Sequence, residues 1–175
     1  FLVSGYNPFT YHLTNILLHS LNTILVFFFL GIFFGTEASL LGALLFALHP
    51  IHTEAVTWVS GKPYLVFCAF ILANALLYNR AAKGDKGKAG LPYLFSLLVF
   101  YYMTIQYYTY YLFPFLLILL DLTLERWRRS WRLWIPFFLL AALKLASIKA
   151  ELISRVVLLS GKPAGSVPVW NNPVL

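Results

Sequence analysis

Apolar residues run in long blocks along this chain, interrupted at a few places by short polar or proline-bearing stretches. The blocks are too long and too uniform to be single faces of soluble helices or strands. Six can be read. The first, Tyr11 to Phe34, would rise ~36 Å as a helix, enough to cross a bilayer with tilt. Gly35-Thr36-Glu37 breaks it, with Glu37 placed to favour the start of the next helix. Ala38 to Leu48 would be only ~16 Å of helix, short of a ~30 Å hydrocarbon core. His49-Pro50 ends it, because proline disfavours helical geometry at the residue before it. Ile51 to Ser60 predicts a short amphipathic helix with Ile51, Ala55, Val56 and Val59 on one face. Gly61-Lys62-Pro63 is a turn signal.

Tyr64 to Tyr78 forms the third run and Ala81 to Gly90 (AAKGDKGKAG) a small, basic linker. Pro92 to Gln106 and Tyr107 to Leu124 are the fourth and fifth runs, meeting at Thr104-Ile105-Gln106-Tyr107-Tyr108-Thr109-Tyr110-Tyr111. Crowded tyrosines suit a membrane interface, where the ring stays apolar and the hydroxyl wet. Basic loops flank both ends of this pair of runs, so a hairpin is expected there rather than one long buried helix through the apex. The sixth run spans Leu133 to about Ile153 and carries Lys144 and Lys149. Counted from Leu133, Lys144 falls ~17 Å along, near mid-membrane. Residues 1–155 read as a multi-span membrane domain, a fragment of a larger one, and 156–175 as an irregular extracytoplasmic tail rich in glycine and proline.

Composition strengthens this picture. The chain is 61% hydrophobic and 11% charged, against about a quarter charged in soluble domains. The fold class is all-α: a polytopic transmembrane helical bundle. The net charge of +7 comes from clustering, since eight of thirteen basic residues lie in Arg80 to Lys88 and Arg126 to Arg132. Short basic loops between apolar runs set orientation by the positive-inside rule, so nucleic acid is not an expected partner. With both loops cytoplasmic, His49 to Ser60, the Tyr107 apex and the tail lie outside. Phe1 to His12 then starts outside, which implies a helix upstream and a piece of something larger. Cys68 is the single cysteine, in an apolar run, and excludes an intrachain disulfide.

Polar groups inside apolar helices face the protein interior or a cavity. His12, Asn15, His19 and Asn22 share one stripe of the first helix by spacings of 3, 4 and 3. Two readings stay open: hydrogen bonds to neighbouring helices, or the lining of a polar cavity. The densest cluster is His49-Pro50-Ile51-His52-Thr53-Glu54. Two imidazoles and a carboxylate there suit phosphate binding or proton relay. Metal is not expected, because His at i and i+3 across a proline is not the i, i+4 pair of a helical zinc site. Lys149 and Arg155 suit snorkelling, and Glu151 with Arg155 suits an i, i+4 pair. No cofactor is implied, and no nucleotide loop, Ser-His-Asp set or CxxC pair is present.

Gly5 to Asn22 (GYNPFTYHLTNILLHSLN), Leu48 to Ser60 (LHPIHTEAVTWVS) and, more weakly, Leu116 to Leu122 (LLILLDL) resemble the transmembrane-and-tetratricopeptide-repeat protein O-mannosyltransferases and their bacterial relatives. The resemblance covers roughly residues 5 to 125, with Asn172-Pro173 in the tail suggestive of it. It implies a GT-C-like membrane domain, here partial, with an extracytoplasmic site. It also implies a polyprenyl-phosphate-linked sugar as donor, an acceptor protein hydroxyl, and the bacterial inner membrane or endoplasmic reticulum as location. Membrane lipids and, in a larger assembly, other membrane subunits complete the partners. In that reading His49, His52, Glu54, Lys62, His12 and His19 bind substrate. The catalytic acid is expected upstream of Phe1.

This chain also departs from the pattern. Lys62-Pro63-Tyr64 stands where relatives place a basic then an acidic residue, and Gln106 among tyrosines where they place lysine with glutamate. No tetratricopeptide repeat is present. These departures motivate an alternative, a non-catalytic membrane subunit packing in a larger complex. The polar stripe and Lys144 motivate a third reading, a transporter or lipid-handling protein.

Overall fold

The computed structural model describes residues 8–84 and 90–160. Gly5 and Asn7 of the resemblance, the middle of the Ala81 to Gly90 linker, the Glu151–Arg155 pairing and residues 161–175 with Asn172-Pro173 lie outside the described residues. Seven α-helices and no strand occur among those described: α1 Pro8–Leu30, α2 Thr36–Leu48, α3 His52–Thr57, α4 Lys62–Lys83, α5 Gly90–Gln106, α6 Phe113–Thr123 and α7 Trp127–Ser160. The all-α bundle expected from the apolar blocks is what forms. Pro8–Leu30, Lys62–Lys83 and Trp127–Ser154 are long and apolar enough to cross a membrane, while α2 and α5 are shorter apolar helices.

The inside of the bundle is more polar than its outside. Asn15, Asn22, Asn74, Ser96 and Asp121 are fully buried, whereas Leu17, Leu45, Phe115 and Leu139 are more than half exposed. Water would penalise that inversion, while lipid tolerates it, because apolar side chains lose nothing facing acyl chains and polar ones need protein partners. The chain is a membrane protein.

The tyrosine apex breaks the helix as expected. α5 ends at Gln106, Tyr107 is extended (φ −136°, ψ 113°), and a 3-10 turn over Tyr108–Leu112 leads into α6. The turn folds back, so Tyr110 and Phe113 both reach Phe100, with ring centroids 5.8 and 6.0 Å apart. Phe137 of α7 closes the core at 5.2 Å from Phe100. Edge and tilted aromatic pairs of this kind add about 1 kcal/mol each beyond burial.

Two details differ from the sequence reading. α4 continues through Ala81 and Ala82, both buried, into the expected linker. α7 runs to Ser160 and its register shifts Lys144: Tyr93 near the start of α5 donates to the Leu133 carbonyl (2.8 Å). Lys144, eleven residues on, thus lies level with the last turn of α5 and the polar apex, not at mid-bundle. α5 is too short to put the middle of the bundle there.

Candidate functional site

The site grows from the bend at His49-Pro50. His49 is extended (φ −68°, ψ 126°), and two short steps, His52 N–H to the His49 carbonyl and Thr53 N–H to the Pro50 carbonyl (3.1 Å each), start α3. Six residues cannot sustain a helix unaided. α1 supplies the support. Asn15 Nδ2 donates to the carbonyls of Val56 (3.2 Å) and Trp58 (2.8 Å), the end of α3 where carbonyls lack helical partners. His19 Nε2 donates to the Ala47 carbonyl of α2 (3.2 Å) and Asn22 Nδ2 to the Leu65 carbonyl of α4 (3.0 Å). One stripe of α1 thus ties three elements together. Of the two uses open to that stripe, hydrogen bonding is what Asn15, His19 and Asn22 perform. His12 is exposed and stands outside these contacts.

Gly61 lets α3 meet the start of α4. A Cβ there would lie 2.3 Å from the Ala55 carbonyl oxygen, a backbone atom that cannot yield. α2 ends beside His19 and α4 begins beside Asn22, so the first turns of α1 stand past the elbow as a wall. Lys62 reaches that wall, its ammonium 5.4 Å from the centre of the Tyr11 ring, within cation–π range.

Three imidazoles gather against α1. His52 lies 5.4 Å from His19 and 6.1 Å from His49 between ring centroids, and 4.3 Å from Phe46. A carbonyl only accepts, so neutral His19 carries its proton on Nε2, and its buried Nδ1 has no hydrogen-bond partner. His49 Nδ1 accepts from the Ile51 N–H (3.2 Å), which leaves its Nε2–H for the open side. Burial, then the neighbouring His19 and His49, push the His52 imidazole below the ordinary histidine value. Among the described residues no three His, Cys, Asp or Glu groups are arranged to hold a metal ion.

Glu54 goes the other way. Two positions along a helix from His52, it points to the opposite face. With Ile51, Ala55, Trp58, Gly61 and Tyr64 it lines a cleft of about 310 Å³. Tyr64 also borders a second hollow of about 500 Å³ with Pro63, Phe67, Tyr107 and Thr109. Phe67 and Thr109 in turn border a third of about 250 Å³ that passes Phe113 to Leu116. The three hollows share lining residues and follow one another from Glu54 along the α4–α6 seam, increasingly apolar towards Leu116. The sequence puts His49, His52 and Glu54 in one cluster; the fold brings His19, His49 and His52 together and sets Glu54 in the adjoining cleft.

Sequence reasoning passed over a second polar centre. Fully buried Asp121 takes hydrogen bonds from Tyr78 (2.5 Å) and Trp134 (2.9 Å) and pairs with Arg126 at 3.2 Å. Arg126 also donates to Asn79 (3.0 Å). Midway up the bundle, Asn74 accepts from Ser96 (2.5 Å) and donates to the Tyr110 hydroxyl (3.1 Å). The available signal was an aspartate ending an apolar run five residues before an arginine. The Asn79–Arg126 bond also joins the end of α4 to the segment after α6, so Arg80 and Lys83 share one end of the bundle with Arg126 to Arg132, opposite the elbow.

Comparison with known proteins gives the same relatives as the HPIHTEAVTWVS string. The human Protein O-mannosyl-transferase TMTC3 (Homo sapiens) is 37% identical over 92 residues, 53% of this chain and 10% of the relative. Human Protein O-mannosyl-transferase TMTC1 is 39% identical over 90 residues, 50% of this chain and 10% of the relative. Protein O-mannosyl-transferase tmtc2 of Xenopus laevis is 42% identical over 81 residues, 46% and 10% respectively. The chain spans about a tenth of the length of these curated relatives. No family model matches it, and no solved structure matches it.

Proposed function

We propose that this chain forms part of an integral membrane O-mannosyltransferase with a GT-C-like membrane domain, moving a sugar from a polyprenyl-phosphate donor to protein hydroxyls. The observation that carries the reading is the joint presence of an imidazole cluster and a row of increasingly apolar hollows at one elbow. It is supported by relatives named as protein O-mannosyl-transferases that are similar over about half the chain.

In this reading the elbow faces the extracytoplasmic side of the bacterial inner membrane or endoplasmic reticulum. The donor phosphate lies between the His49 Nε2–H, His52 and the Lys62 ammonium. The polyprenyl tail follows Tyr64, Phe67 and Phe113 down the α4–α6 seam. Glu54 takes hydrogen bonds from hydroxyls of the sugar or acceptor in the cleft. His19 holds the elbow and presents its free Nδ1 to the cluster, and His12 flanks the entrance on the projecting turns of α1. Transfer breaks the bond between the anomeric carbon and the phosphate oxygen, so negative charge grows on the leaving polyprenyl phosphate. Fixed donors aimed at that charge lower the barrier. The base that takes the acceptor proton is assigned to the acid that the resemblance puts ahead of Phe1.

The test uses the full-length protein, a mannosyl polyprenyl phosphate and a peptide acceptor. His52→Ala should cut transfer on the order of 100-fold or more, as loss of one charge-stabilising donor does elsewhere, and Glu54→Ala should cut it by misplacing the hydroxyls that its carboxylate holds. Membrane expression should stay intact. Wild-type turnover in both variants would remove the site assignment.

A further inference from the structure

At the end opposite the elbow, Arg126 just ahead of α7 and Arg128, Arg129 and Arg132 in its first turns are interleaved with Trp127 and Trp131. Arg126 is engaged by Asp121 and Asn79, which leaves its neighbours for other work. Arg128 and Arg132 are both exposed, and i, i+3, i+4 spacing sets them on one stripe with Trp131, Ile135, Phe138 and Leu139. The lower members of that stripe, with Trp134, line an apolar trough of about 530 Å³. The stripe is thus cationic for its first turn and greasy for the next two. Arg128 packs over Trp127 (5.1 Å) and Arg132 over Trp131 (5.3 Å). Stacking uses the faces of the guanidinium planes and leaves their N–H edges to donate.

We infer that this stripe is a binding site for an anionic glycerophospholipid of the adjoining leaflet. The anionic phosphodiester, with no cation in its headgroup, meets Arg128 and Arg132, and one acyl chain lies in the trough from Trp131 to Leu139. Charge complementarity selects this occupant. A zwitterionic lipid brings its own cation to two fixed guanidinium groups, and an apolar partner helix would leave both arginines unanswered. Basic residues beside a membrane surface attract anionic lipid generally. The trough directly below the pair is what makes this a site rather than a diffuse field.

The test is native mass spectrometry of the purified full-length protein in detergent, titrated with phosphatidylglycerol, with phosphatidylcholine, or with glycerol phosphate alone. One phosphatidylglycerol should be retained at energies that strip phosphatidylcholine, and glycerol phosphate should not compete. Arg128→Gln with Arg132→Gln should weaken retention on the order of 10-fold. Ile135→Trp, which fills the trough and keeps the charges, should weaken it as well. Arg80→Gln with Lys83→Gln, at the same end but outside this trough's lining, should leave it unchanged. Equal losses from the two basic pairs would overturn the inference, as would full retention in Ile135→Trp or equal retention of phosphatidylcholine. An unchanged thermal transition in each variant confirms that the fold survives.

Discussion

The two polar centres of this bundle are built differently. Around Asp121 the polar groups answer one another: both carboxylate oxygens are engaged, by Tyr78 and Trp134 on one and Arg126 on the other. Arg126 Nε and the Ser130 hydroxyl are the atoms left over there. Around the elbow, side chains of α1 answer backbone carbonyls instead. Asn15 Oδ1, His19 Nδ1 and Asn22 Oδ1 remain buried without hydrogen-bond partners on a single stripe, and the His52 ring contacts both His19 and His49. A network closed on itself fixes helices, because every member loses a partner when one is removed. A network held by its backbone bonds keeps functional atoms free, which is what a ligand site needs.

The sharpest way to break the comparison is to cut the closed centre. Asp121→Ala strands the Arg126 cation, the Tyr78 hydroxyl and the Trp134 N–H together, and should cost about 3–5 kcal/mol of stability, as breaking a buried pair does. Unfolding in mixed detergent micelles would read it, and a loss below 1 kcal/mol would mean the centre is not closed. Asn15→Ala should cost far less, about 0.6 kcal/mol on the scale of hydrogen bonds within membranes. Its effect should be local instead: amide exchange should speed up in α3 while α4 to α7 stay protected. Uniform loss of protection would make the elbow an ordinary part of the core.

The smallest effect concerns pH. His52 has a folded-state value below its ordinary one, so the unfolded elbow binds protons more readily. The contribution of His52 to folding is therefore complete above about pH 6.5 and is lost as pH falls through the depressed value. Protection in α3, corrected for the intrinsic slowing of amide exchange in acid, should fall on acidification from 7 to 5. A phosphate-bearing ligand among the imidazoles should reverse the trend, since it favours the charged ring. An acid-induced loss of protection persisting unchanged in His52→Gln would assign the effect elsewhere.

Much of this was legible in the chain. Proline at position 50, the short Ala38 to Leu48 block and the tyrosines at 107–111 each carry a local steric or solvation reason for the break they make. Others were not legible. That Glu54 turns from His52 follows from helical phase once α3 is known to start at His52. That Lys144 sits level with the apex follows from the Tyr93–Leu133 register, which no local pattern encodes.

Sequence by itself determined the solvent of this protein, the number of its apolar blocks and where they break, because hydropathy and backbone sterics act over a few residues at a time. Only the tertiary structure decided which polar groups spend their hydrogen bonds on each other and which are left free. Asp121 needs Tyr78, Asn15 needs Trp58 and His19 needs His52 from more than thirty positions away, and such pairings are set by how whole helices pack.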